Sequence, residues 1–297
     1  MTAEITDKLT FVNPKNDIAF KKIFGSENHT ELLLEFLNEI LQRENPILEV
    51  QILNPFQFPR TEGLKLTTLD IRARDRHHEF LIEMQVEKEK WFKERVLHYV
   101  CKAYSDQLKE GENYYGLRPV VFLGVMNFRD FTGNYVFTRH QFTNKNTNDV
   151  EFGQVELNFI ELPNFNKKES ELTTLADQWL YFLKNAELLD HIPESATSPW
   201  VREAYESLNR HKWTQEELLA YDYWAKKEHA RENSIETARL EGKEEGRTEG
   251  EAIGEARGKA ESARAIALEL LKLRLDTKKI SEATKLTAEE IEKIKGS

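Results

Sequence analysis

A mixed α/β fold followed by a helical extension is the class the sequence predicts, and three observations predict it. The stretch 65–87 reads as two runs of strand-like alternation about the charged turn Asp75-Arg76-His77-His78. Residues 119–128 place Val120, Val121, Phe122, Leu123, Val125 and Met126 in one apolar run without alternation, the mark of a strand covered on both faces. From residue 170 onward the pattern turns helical. With 297 residues, 39% of them hydrophobic, the chain can bury one substantial core plus an extension.

The elements follow in order. Residues 15–42 read as two helical pieces separated by Gly25-Ser26. Ile18, Phe20, Ile23 and Phe24 supply the apolar surface of the first, and Leu32, Leu33, Phe36, Leu37, Ile40 and Leu41 form a 3.6-residue stripe on the second. Residues 47–53 form a strand between Pro46 and Asn54-Pro55, and 56–63 a loop. In the central hairpin Leu64, Leu66, Leu69, Ile71 and Ala73 are the apolar positions of the first run. In the second, Phe80, Ile82, Met84 and Val86 share one face, and Leu81, Glu83, Gln85 and Glu87 the other. Residues 91–110 have helical periodicity in Val96, Tyr99, Val100, Ala103, Tyr104 and Leu108, with Gly111 as the stop. Two further alternating strands, 135–142 and 155–162, flank an Asn-rich loop. Helices are expected at 172–185, at 199–209 and from 214 on, with Leu175, Trp179, Phe182 and Leu183 packing back on the first part. The predicted division is 1–165, 166–225 and 226–297.

The chemistry concentrates in the hairpin. A period of two places Glu83 and Gln85 on the same side of their strand, and a hairpin closing near Arg76 brings Asp70 alongside Glu83. Two carboxylates and an amide at one point of a sheet suit a hard divalent cation. The competing reading is a half-buried hairpin whose polar face meets solvent. Asp17 stands at the start of IAFKKIF, where aspartate caps helices well. Glu35 is a second helix acid of open role, and His77-His78 falls at a turn.

Asp70, followed thirteen residues on by Glu83-Met84-Gln85, resembles the PD-(D/E)XK nuclease signature in the form carried by the Rpn family of recombination-promoting nucleases and transposases. The segment NDIAFKKIFG at 16–25 resembles that family's opening, and Leu34-Glu35-Phe36-Leu37-Asn38 its first-helix core. Arg95, Tyr99, Gln107-Leu108, Gly111 and Tyr114 resemble its helix after the active site, and Ile160-Glu161-Leu162 the end of its catalytic domain. About the first 165 residues are covered. Leu69 rather than Pro precedes Asp70, and Gln85 stands at the usual Lys position.

The resemblance implies a restriction-endonuclease-like mixed sheet flanked by helices, with a helical C-terminal extension. It implies a Mg²⁺-dependent DNA endonuclease, with Mn²⁺ as a substitute ion, serving recombination or transposon-related DNA processing in the cytoplasm. Asp70, Glu83 and the backbone carbonyl of Met84 are the implied metal ligands, and Gln85 the group orienting a water or the phosphate. Asp17 is implied as a first-helix acid reaching the metal. The alternative is a catalytically inactive interaction or oligomerisation protein on a nuclease scaffold, working through its tail.

Composition bounds these readings. The formal net charge is −10, whereas DNA affinity rests largely on neutralising phosphates, so DNA contact relies on a local basic face. Much of the acid sits late, in segments such as EGKEEGRTEGE. The single cysteine, Cys101, allows no internal disulfide and fits a reducing cytoplasm. No apolar run approaches the roughly 20 residues that span a bilayer, and the first residues show no secretory signal. Phosphate-cradling loops, zinc-spaced Cys/His clusters and a G-x-S-x-G elbow are absent from the sequence.

In the tail, Gly242, Gly246, Gly250, Gly254 and Gly258 recur every four residues. Each costs a helix nearly 1 kcal/mol against Ala. The repeat reads either as a flexible charged linker or as a helix whose bare stripe admits a second helix, which makes a homodimer through the tail an expectation. Ile266, Leu270, Leu273 and Leu275 then mark an amphipathic helix. Residues 280–294 read as helix, turn, helix, with Thr287 capping and Glu290 at the box position. The second of these helices is too acidic for DNA recognition, so a packing unit is expected.

Overall fold

The computed structural model describes residues 10–54 and 70–295. Leu64, Leu66, Leu69 and the expected loop at 56–63 lie outside them. The chain divides into two compact units, 1–226 and 227–297.

The first unit begins with α1 (Asp17–Phe24) and α2 (Thr30–Leu41). Asn16, not Asp17, caps α1: its backbone is extended and its side chain accepts from the Ile18 N–H. Asp17 is thereby left in the first turn with its carboxylate unspent on the backbone. The expected apolar stripes of both helices are buried. β1 (Gln51–Ile52) is shorter than the strand expected at 47–53. The cause is local, since the Asn38 side chain on α2 both donates to the Ile47 carbonyl and accepts from its N–H, which removes that backbone from any ladder.

Next come β2 (Ile71–Arg74), β3 (Glu79–Gln85), α3 (Phe92–Ser105), β4 (Val120–Met126), β5 (Phe137–Phe142) and β6 (Phe152–Glu161). The sheet order is β1-β2-β3-β4-β6-β5. β3 and β6 both run parallel to β4, and the other neighbours are antiparallel. This is the mixed sheet flanked by helices expected of a restriction-endonuclease-like α/β fold. β3 is buried along its whole length. Phe80, Ile82 and Met84 pack with Val121, Leu123 and Val125 into the core shared with α1 and α2, while Leu81 faces Phe92, Val96 and Val100 of α3. The solvent-facing hairpin is therefore excluded, because both faces of β3 are covered and Glu83 and Gln85 are buried with it. α3 stops short of residue 110, where the Gln107 side chain clamps both backbone groups of Arg118 and turns the chain.

α4 (Leu175–Asn185) starts at a capping box between Thr174 and Asp177, and α5 (Pro199–Leu208) at Ser198. Trp179, Phe182 and Leu183 are fully buried; the Trp179 ring centroid lies 5.5 Å from that of Phe24 and 5.6 Å from that of Phe36. Leu175 is only half-buried. These helices thus complete the core of the sheet, which α1 and α2 alone would leave open.

α6 (Gln215–Lys272) includes the glycine repeat, so the repeat is helical rather than a flexible linker. Residues 233–262 of this helix are exposed on every side, and a Cβ placed at any of the five glycines meets no atom within 4 Å. Ion pairs at i,i+4 between Arg247 and Glu251, Lys259 and Glu255, and Arg257 and Glu261 offset part of the glycine cost. In the second unit the end of α6 packs with α7 (Thr277–Thr284) and α8 (Ala288–Lys295) around Ala267, Ile280 and Ile291, joined by Leu270 and Leu271. The expected stripe is corrected here, since Ile266, Leu273 and Leu275 are exposed and only Leu270 of the four packs inward. Thr287 and Glu290 form the expected capping box. Among the described residues, no helix is long and apolar enough to cross a membrane.

Candidate active site

Four elements meet at one end of β3. The β2–β3 register pairs Ile71 with Ile82, so the next pair along brings Asp70 opposite Glu83, as the hairpin arithmetic requires. Oδ2 of Asp70 accepts from the Met84 N–H at 2.7 Å, which fixes the carboxylate across the strand pair. Its Oδ1 lies 3.1 Å from Nζ of Lys21 on α1, and that same ammonium lies 2.6 Å from Oδ1 of Asp17 one turn earlier. From the other side, a guanidinium nitrogen of Arg95 on α3 donates to Oε1 of Glu83 at 2.8 Å and to Oε1 of Gln85 at 2.6 Å. Arg95 also pairs with Glu89. The Gln85 amide nitrogen donates to the Glu87 carbonyl at 3.0 Å. Oε2 of Glu83 is buried and has no hydrogen-bond partner among the described residues.

Asp70, Glu83, Met84, Gln85 and Asp17 are therefore brought together, whereas Glu35 is not. The Glu35 carboxylate accepts from Ser198 Oγ at 2.6 Å and from the Trp179 indole at 3.1 Å, tying α2 to α4 and α5. His78 stays at the hairpin turn between Asp75 and Arg43.

Burial dominates the electrostatics. It pushes the Asp70 carboxyl well above the usual range, with Lys21 opposing and Asp17 and Glu83 reinforcing the shift. Burial likewise raises Glu83 to about 7 against the pull of Arg95. For Lys21 burial acts to lower the pKa, but Asp70 and Asp17 outweigh it and leave the ammonium raised. Four carboxyl groups (Asp17, Asp70, Glu83 and Glu89) face two cations, Lys21 and Arg95, so acidic groups outnumber basic ones in the cluster.

No group of three or more His, Cys, Asp or Glu residues is arranged to cage a metal among the described residues. A Mg²⁺ ion does not need one, because it takes one or two carboxylates and keeps several waters. Two opposed carboxyl groups, an unpartnered buried oxygen and raised acids that an arriving cation would bring back to the ionised form fit such an ion. The oxygen-only donor set does not suit a soft-ligand metal.

Lys21 and Glu89 are the members that sequence reasoning missed. For Lys21 the signal was available: Asp17 and Lys21 are spaced i,i+4, and the lysine falls between Phe20 and Phe24 on a helix face that turns inward. A lysine is retained there only when paired.

The sequence model of the PD-(D/E)XK nuclease family transposase matches residues 14–238. The match runs past residue 165 and takes in α4 and α5, in keeping with their place in the shared core. No curated protein and no solved structure matches the chain.

Proposed function

The chain belongs to the PD-(D/E)XK nuclease family transposases, and from that premise we propose that it is a Mg²⁺-dependent DNA endonuclease, acting in recombination or transposon-related DNA processing in the cytoplasm. The observation that carries this reading is the opposition of Asp70 and Glu83 with the unpartnered Oε2 of Glu83 between covered layers. Asp70, Glu83 and the Met84 carbonyl would hold the ion, for which Mn²⁺ could substitute. When bound, the ion polarises the phosphate, lowers the pKa of a bound water and stabilises the leaving oxygen.

The reaction is hydrolysis of a phosphodiester. A water oxygen bonds to phosphorus, the bond from phosphorus to one sugar oxygen breaks, and the water proton is lost as the leaving oxygen gains one. Gln85 cannot accept that proton, being an amide. Its two ends are fixed by Arg95 and the Glu87 carbonyl, which suits a group that orders its neighbours and performs no acid–base chemistry.

One observation favours the second reading, a retired nuclease scaffold: Lys21 and Arg95 already neutralise part of the charge on Asp70 and Glu83. Incubation of the purified protein with supercoiled, linear and single-stranded DNA separates the two. Cleavage with Mg²⁺ or Mn²⁺ that stops in EDTA supports the endonuclease. No cleavage of any form with either ion, from a folded protein, supports the scaffold.

A further inference from the structure

We propose that Lys21 is the positive group of this catalytic centre, placed on α1 instead of on β3 and oriented by Asp17. The inference rests on the nuclease reading above and adds to it a residue and a role. β3 offers no charge of its own to a phosphate, because Gln85 is neutral and both ends of its amide are engaged. Arg95 spreads over three side chains, Glu83, Gln85 and Glu89, with a buried Nε left unpartnered among the described residues, and it lies on the Glu83 side of the site and makes no contact with Asp70.

Lys21 differs from both. Its side chain is 4% exposed, yet it reaches the Asp70 carboxylate at 3.1 Å and the Asp17 carboxylate at 2.6 Å. An ammonium has three N–H donors, and these two acids take two of them. The third is left for an oxygen brought to Asp70. Burying an ammonium is costly unless it is paired, and a plain clip between α1 and the residue that leads into β2 needs no charge. The placement instead sets a fixed cation beside a proposed metal ligand, where negative charge grows as the phosphate is attacked. Asp17 is then an orienting partner of Lys21 and not a metal ligand.

The test uses the full chain, with Mn²⁺ binding followed by electron paramagnetic resonance and DNA cleavage measured with Mg²⁺. Lys21→Met keeps the side-chain volume near that of lysine without the charge. It is expected to bind Mn²⁺ as tightly as the parent or more so, and to lose about a hundredfold in kcat with little change in KM. Lys21→Arg restores a cation and is expected to recover part of that loss. Asp17→Asn, at a partly exposed position, is expected to keep Mn²⁺ binding and to lose about tenfold in kcat through misorientation. If Lys21→Met does not fold, Asp17→Asn decides. A folded Lys21→Met cutting at the parent's rate, or an Asp17→Asn protein that cuts normally or has lost Mn²⁺, overturns the assignment and leaves the nuclease reading standing. A parent that cuts no DNA with either ion overturns the nuclease reading and this assignment with it.

Discussion

Arg95 places one guanidinium nitrogen 2.8 Å from Oε1 of Glu83, joining α3 to β3 at the point where the sheet carries its chemistry. The same nitrogen reaches Gln85 at 2.6 Å, so a single side chain fixes two of the residues that face the reacting ion in the proposed mechanism. That arrangement gives stability a pH dependence.

Arg95→Met is expected to destabilise the metal-free protein more at pH 8 than at pH 6. Burial raises Glu83 to about 7 even with Arg95 beside it, and removing the cation pushes it higher. A carboxyl raised above its unfolded value favours the fold most when protonated, and that contribution is lost as pH rises through the folded value. At pH 8 the variant loses the buried pair that the ionised Glu83 makes with Arg95 in the parent, and removing one partner of such a pair costs about 3–5 kcal/mol. Thermal unfolding in EDTA at the two pH values checks this, and an equal loss at both would contradict it.

Ion binding should show the opposite dependence. Glu83 must be ionised to serve a cation, so a proton leaves as the ion arrives. Mn²⁺ affinity measured by isothermal titration is expected to weaken as pH falls below about 7. A flat affinity between pH 6 and pH 8 would remove Glu83 from the ligand set.

The tail carries a separate prediction. Gly246→Ala with Gly250→Ala is expected to raise the helicity of an isolated tail helix, because nothing stands within 4 Å of either position and alanine is favoured by about 1 kcal/mol per site. If two copies pair through the glycine stripe, as the homodimer expected from the sequence requires, the same changes push the helices apart. We expect light scattering to give a dimer for the full chain, a monomer for residues 1–226, and a weakened dimer for the double variant. A monomeric full chain whose helicity rises with the two alanines would leave the tail as an exposed single helix.

Much of this was legible in the sequence for identifiable reasons. The alternation in 79–85 fixed both faces of β3, and hairpin arithmetic about Arg76 brought Asp70 opposite Glu83, because register in a tight hairpin follows from the turn. The unbroken apolar run at 120–126 correctly implied a strand covered on both faces. What escaped were relations between distant elements. Nothing local shows that Asn38 takes the Ile47 backbone away from β1, and the i,i+4 spacing that pairs Lys21 with Asp17 does not show that the same ammonium also reaches Asp70. The capping role went to Asn16 over Asp17 by one residue, a distinction set by backbone angles. A lysine in place of Gln85 would lie against the Arg95 guanidinium, so Gln85→Lys is expected to impair the site.

The central claim is that Asp70 and Glu83 together hold the ion that cuts DNA. Single-turnover cleavage by Asp70→Asn and Glu83→Gln, each checked for fold by circular dichroism, tests it most directly. Folded proteins are expected in which Mg²⁺-dependent cleavage falls by about a thousandfold or more in each, with weakened Mn²⁺ binding. Folded variants that both cut at the parent's rate would contradict it.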